Sequence, residues 1–163
     1  MMKKVNIYTY STAKSPKSAK SQCEAVAFII EHEDCPGEAR PQMKIIQGMS
    51  WYQSELYVLE RALSRINAMY EVHVYIECPY VAAGFEQGWI KQWQENDWKT
   101  SSNEEVKNKA EWQALIALVQ ERSFLLVFHV KEDHSYRKWL KANMEKEKQK
   151  CLINLESSTQ QKK

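Results

Sequence analysis

The sequence predicts a single α/β domain. Two short runs alternate apolar and other residues as strands do: Val5-Asn6-Ile7-Tyr8-Thr9-Tyr10 and Val72-His73-Val74-Tyr75-Ile76. Between and after them lie segments in which apolar residues recur at helical steps. The second run closes on an acid, Glu77, and open α/β sheets place their chemistry at such C-terminal strand ends. At 163 residues with 44% hydrophobic content, the chain suits one domain with a sizeable core.

Bulk properties exclude several function classes. A net charge of +2 announces neither nucleic acid nor a membrane as partner. No apolar run approaches the roughly 20 residues of a membrane helix, so no membrane partner is expected. Met1-Met2-Lys3-Lys4 leads straight into a strand pattern rather than into a signal-peptide core. Cys23, Cys35, Cys78 and Cys151 are scattered and form no CxxC pair, which predicts free thiols in a cytoplasmic protein.

The elements follow in order. The alternation predicts a first strand over Val5–Tyr10, and a polar loop carrying Lys14, Lys17 and Lys20 follows it. That loop suits either phosphate contact or plain solvation. A second strand spans Cys23–Ile30, a turn carries Pro36-Gly37, and a third strand spans Gln42–Gln47. Trp51–Met69 is helical by period, through Tyr52, Leu56, Leu59, Leu63 and Ile66, with Ser50 as its cap. Glu55 lies on or beside that stripe, where a carboxylate needs a partner or a metal. After the strand ending at Ile76 comes a tryptophan-rich helix with Trp89 and Trp93, then Trp98. Asn103 suits the cap of a helix running through Trp112 and Val119. Phe124–Val130 reads as a buried strand, and Trp139–Lys150 as a charged helix. The domain is expected over 1–150, with 151–163 a polar, frayed tail.

The landmarks from Glu77 onward resemble those of the bacterial type I ribonuclease H family. They are Glu77 with Tyr80-Val81, Trp89-Ile90 with Trp93, Asp97-Trp98-Lys99-Thr100, Val106-Lys107-Asn108, and Trp112. Glu55-Leu56 matches the family's glutamate-leucine pair in its first helix. The resemblance covers roughly Lys4 to Leu140. It implies a ribonuclease H-like fold: a five-stranded mixed sheet of order 3-2-1-4-5 with helices on both faces.

The same resemblance implies a two-metal nuclease site, and the sequence departs from it. Of the family's four metal-binding acids, Glu55 is retained and Glu77 replaces an aspartate. Tyr10 stands at the central acid position, and Lys138, aligned on Leu140, stands at the last. Two carboxylates oppose about four positive charges of a metal pair, and a neutral phenol adds nothing anionic. Asp133 and His134, on the loop that matches the family's histidine loop, are candidates to assist. Gln53 corresponds to a hybrid-reading amide. Trp89, Lys91, Trp93, Trp98 and Lys99 correspond to the basic protrusion that grips the DNA strand, diluted here by Glu86, Glu95 and Asp97. The expectation is an impaired or inactive relative retained to bind RNA–DNA hybrid weakly, or a protein partner, with no cofactor. The alternative is a weak metal-dependent hybrid endoribonuclease using Mg²⁺ or Mn²⁺ on Glu55 and Glu77.

Overall fold

The structure, a computed structural model, describes residues 2–17 and 22–161, with side chains to 157. Lys20 of the basic loop therefore lies outside the described residues. The strands are β1 (Lys4–Ser11), β2 (Cys23–His32), β3 (Pro41–Gln47), β4 (Glu71–Ile76) and β5 (Leu125–Val130). The helices are α1 (Trp51–Leu63), α2 (Pro79–Glu86), α3 (Trp89–Glu95), α4 (Lys109–Arg122) and α5 (Arg137–Gln161). The five strands form one mixed sheet of order β3-β2-β1-β4-β5, as expected. β1 pairs antiparallel with β2 and parallel with β4. β3 and β5 are the edges.

The two-residue period of β1 supplies both cores. Val5 and Ile7 point to one face and pack with Val72 and Val74 of β4, Leu56, Leu59 and Leu63 of α1, and Trp112 and Leu115 of α4. Tyr8 and Tyr10 point to the other face, joining Ala25, Ala27 and Ile29 of β2 beneath Leu140 and Met144 of α5. Both clusters are fully or nearly fully buried. The alternation of β1 therefore aims Tyr10 at α5, which matters for the site.

Several boundaries differ from expectation. α1 ends at Leu63, not Met69. One Arg122 nitrogen, Nη1, donates to the carbonyls of Leu63, Ser64 and Ile66 at 3.2, 2.9 and 2.6 Å. Those bonds satisfy acceptors that a helix end leaves open, while Ile66 remains buried beyond the helix. Asn103 does not cap α4. It sits in a turn at φ 63°, and α4 opens after Asn108. β5 is an edge strand with Leu125 52% exposed, not a fully buried one, because it is last in the sheet order.

The cysteine expectation is also corrected. Cys23 and Cys151 form a disulfide, while exposed Cys35 and buried Cys78 remain thiols. The reason is α5. Over 25 residues without Pro or Gly it runs about 37 Å and lies across β2, which brings Cys151 over Cys23. Lys148 joins it there by pairing with Glu24 at 3.2 Å. The segment expected to fray from 151 is therefore helical to Gln161, and only 162–163 lie outside the described residues.

Candidate functional site

A cleft of about 560 Å³ opens at the C-terminal ends of β1 and β4, beside the start of α5. Tyr10 and Trp51 wall it, and Glu77 and Asp133 contribute carboxylates. Five cations line it: Lys14, Lys131, Arg137, Lys138 and Lys141. The sheet order places Glu77, one residue past β4, beside the end of β1. α5 begins at Arg137 and projects that side chain into the same opening.

Glu77 and Arg137 meet in a fork. Arg137 Nε donates to Glu77 Oε1 at 2.6 Å, and Nη2 donates to Oε2 at 3.1 Å. The two side chains are 34% and 21% exposed for Arg137 and Glu77, so solvent screens the pair only in part. Both carboxylate oxygens of Glu77 are occupied by the protein's own guanidinium.

Glu55 faces inward from α1 and is fully buried. Its Oε1 accepts from Trp51 Nε1 at 3.1 Å, and its Oε2 has no hydrogen-bond partner among the described residues. Burial pushes its carboxyl up to about 7, against the opposing pull of the Trp51 hydrogen bond and of Lys14. Tyr10 is 5% exposed, and its hydroxyl donates to Glu145 Oε1 of α5 at 3.4 Å. Burial and the Glu145 carboxylate push the phenol up to about 12, so it stays neutral. Lys14 Nζ lies 4.8 Å from the centre of the Tyr10 ring. Among the described residues, no group of three or more His, Cys, Asp and Glu side chains converges as a metal cage would.

Lys138 does line the cleft, but the ion pair belongs to its neighbour Arg137. Sequence reasoning missed Arg137, Lys131 and Lys141. Arg137, Lys138 and Lys141 stand at one-, three- and four-residue spacings, a signal of a shared helix face that was present to be read. Asp133 lies in the cleft. His134 does not line it. Its ring packs against Tyr8 at 4.5 Å, and burial lowers its proton affinity.

The remaining candidates lie elsewhere. Trp93 packs on Trp98 and Trp112 at 5.8 and 5.2 Å, and on Trp89 at 6.1 Å, making the small core of α3 and its loop. Lys91 and Lys99 are exposed on that element. Gln53 donates its amide to Glu111 Oε1 of α4 at 2.8 Å, so that group is engaged within the protein. A chain of polar contacts unseen in the sequence runs along β4 and β5. His73 Nδ1 meets His129 Nε2 at 2.8 Å, flanked by Glu71 and Glu132. It depends on the β4–β5 register, which pairs strands more than fifty residues apart in the chain.

The family model for RNase H matches residues 2–145. The chain is 34% identical over 118 residues to a ribonuclease H of Acetivibrio thermocellus, a match covering 70% of this chain and 73% of that protein. It is 39% identical over 77 residues to one of Caldicellulosiruptor saccharolyticus, covering 47% of this chain and about half (49%) of that protein. It is 28% identical over 123 residues to one of Clostridium botulinum, covering 75% and 79% of the two chains. Among solved structures it is similar to a type 1 RNase H with the type 2 active-site motif, at a TM-score of 0.66 and 15% identity, covering 87% and 70%. It is also similar to a foamy viral protease-reverse transcriptase solved with an RNA/DNA hybrid, at a TM-score of 0.60 and 12% identity, covering 82% of this chain and 18% of that one. At these identities the solved structures bear on the fold alone.

Proposed function

The chain belongs to the ribonuclease H family, and on that premise we propose that it binds RNA–DNA hybrid without competent two-metal hydrolysis. The observation that carries this reading is the Arg137–Glu77 fork. A divalent ion needs anionic oxygens free to turn toward it. Here the Glu77 oxygens are held by a guanidinium, Glu55 is protonated over much of the range below pH 7, and Tyr10 presents a neutral phenol turned to Glu145. These residues do not fit a pair of divalent ions such as Mg²⁺ or Mn²⁺.

What remains suits binding. The cleft has more cations than carboxylates, and cations on a protein surface favour a polyanion by releasing its counterions. The RNase H family model and the curated ribonuclease H relatives make RNA–DNA hybrid the ligand class to test first. Lys91, Lys99 and the tryptophans they flank contribute at most a weak second contact, since Trp89, Trp93 and Trp98 are committed to packing. No helix among the described residues is long and apolar enough to cross a membrane. A cytoplasmic location is part of this proposal, and there the Cys23–Cys151 pair would spend time reduced.

One observation favours a second reading, weak cleavage on a single ion: Glu55 Oε2 is buried and has no partner among the described residues. Two assays decide. A hybrid-cleavage assay in Mg²⁺ and in Mn²⁺ is expected to show no turnover above background, while a low-salt mobility shift with the same hybrid shows a complex that dissolves steeply with salt. Substantial cleavage abolished by Glu55→Gln overturns the reading in favour of the nuclease. No complex at low salt removes hybrid binding and leaves a protein partner as the function to test.

A further inference from the structure

We propose that the cleft is a phosphate-ester seat that works without a divalent ion, in which an incoming phosphate takes Arg137 from Glu77. The inference rests on the hybrid-binding reading above and specifies how this site holds the backbone.

The seat is already assembled. Arg137 is the only cleft cation in an ion pair among the described residues. Lys14, Lys131, Lys138 and Lys141 line the same opening and pair with no carboxylate there. A cleft with four such ammonium groups repels a cation and attracts an anion. Glu77 holds the guanidinium from one side with two parallel bonds, which fixes the plane of the fork half-buried at the mouth. A phosphate presents two oxygens in the same geometry as a carboxylate, so it meets a donor pair already oriented. Release of Glu77 is feasible because its side chain is 21% exposed and water accepts the freed carboxylate. Lys138 and Lys141 stand three residues apart on α5, about one turn, and so bracket the fork from the same helix. Trp51 lines the same cleft and adds an aromatic surface to its wall.

The volume agrees with this ligand. About 560 Å³ exceeds the space one phosphate needs and accommodates a nucleotide unit. Where relatives would bring two cations to the phosphate as metals, this chain supplies them as side chains, and chelation should not matter.

The test uses the full chain in chelator. Hybrid affinity is measured in EDTA and in Mg²⁺, for the native chain, Arg137→Gln, and the double variant Lys138→Gln/Lys141→Gln. The last alters exposed side chains and keeps the fold even if Arg137→Gln disturbs it. In parallel, the Arg137 Nε–H nuclear magnetic resonance signal is followed while inorganic phosphate, a 5′-mononucleotide or the hybrid is added. The expected result is affinity equal within about twofold in EDTA and Mg²⁺, a loss of about tenfold or more in each variant, and a shift of the Arg137 signal with ligand. A shift with phosphate and mononucleotide marks a terminal phosphate as the preferred form. A shift with hybrid alone marks an internal one. Hybrid binding that vanishes in EDTA, or that is unchanged in both variants, overturns the seat and leaves hybrid binding standing. A phosphate-driven shift without any hybrid complex supports the seat and overturns the hybrid reading instead.

Discussion

Arg137 Nε lies 2.6 Å from Glu77 Oε1, across an ion pair that joins residues sixty positions apart at the mouth of one cleft. The pair decides what else Glu77 can hold. If the guanidinium is what keeps metal out, its removal should restore part of a metal site. Arg137→Gln leaves Glu77 without its partner and within the electrostatic reach of Glu55. The expected outcome is saturable Mn²⁺ binding in the variant and none in the native chain, read by electron paramagnetic resonance of the free ion. Equal Mn²⁺ binding in both proteins would show that the fork does not exclude the ion.

Glu55 gives the protein a pH-dependent stability of defined sign. Its carboxyl is raised from 4.5 to about 7 by burial. The folded state therefore binds more protons than the unfolded state between those values, and stability falls as pH rises through that window. The contribution is fully present below about 4.5 and lost as pH passes about 7. Glu55→Gln keeps the shape of the neutral acid without its titration. Relative to the native chain it should gain stability with pH, by on the order of 3 kcal/mol at most between pH 4.5 and 8. Urea unfolding of both proteins across that range checks it, and parallel curves would refute the shift.

How much of this was legible in the sequence depends on whether the relevant contact was local. The alternation of Val5, Ile7, Val72 and Val74 and the stripe of Leu56, Leu59 and Leu63 are periodic within single elements, so the core beneath α1 followed from pattern, and the sheet order from resemblance. The inward aim of Glu55 was legible for the same reason. Arg137 was not. Alignment on Leu140 drew attention to Lys138, while the helix start turned the preceding residue toward Glu77. The helix boundary near Leu63 was hidden because the guanidinium that takes its carbonyls comes from Arg122, on another helix.

Gly84 is required by a close approach. A Cβ built there would lie 2.2 Å from the Trp112 Cη2 atom, well inside van der Waals contact. Trp112 is fully buried among α1, α2 and α3 side chains and its Nε1 donates to the Tyr80 hydroxyl at 3.0 Å, so it has little room to retreat. Gly84→Ala is expected to destabilise the fold by about 1–3 kcal/mol through overpacking, despite the helix preference of alanine. Thermal unfolding with tryptophan fluorescence measures it. A neutral or stabilising result would mean that α2 slides freely over the indole.

The Cys23–Cys151 bridge makes the far half of α5 conditional on redox state. It closes a span of 128 positions between β2 and α5, and a tie of that length restricts the unfolded chain strongly. Loop-entropy reasoning puts its upper bound at roughly 5 kcal/mol, and bridges of this kind typically contribute about 2–4 kcal/mol. The buried contacts of α5 at Leu140 and Met144 lie in its first half, as do Arg137, Lys138 and Lys141, so loss of the bridge loosens chiefly the second half. Reductant, or Cys151→Ser, should therefore lower the urea midpoint and speed amide exchange after Lys148. The Arg137–Glu77 fork and hybrid affinity should change by less than about twofold, because Leu140 seats the first turn independently. If affinity instead falls together with helix protection, the two halves of α5 act as one unit, and the disulfide controls the cleft as well as the helix end.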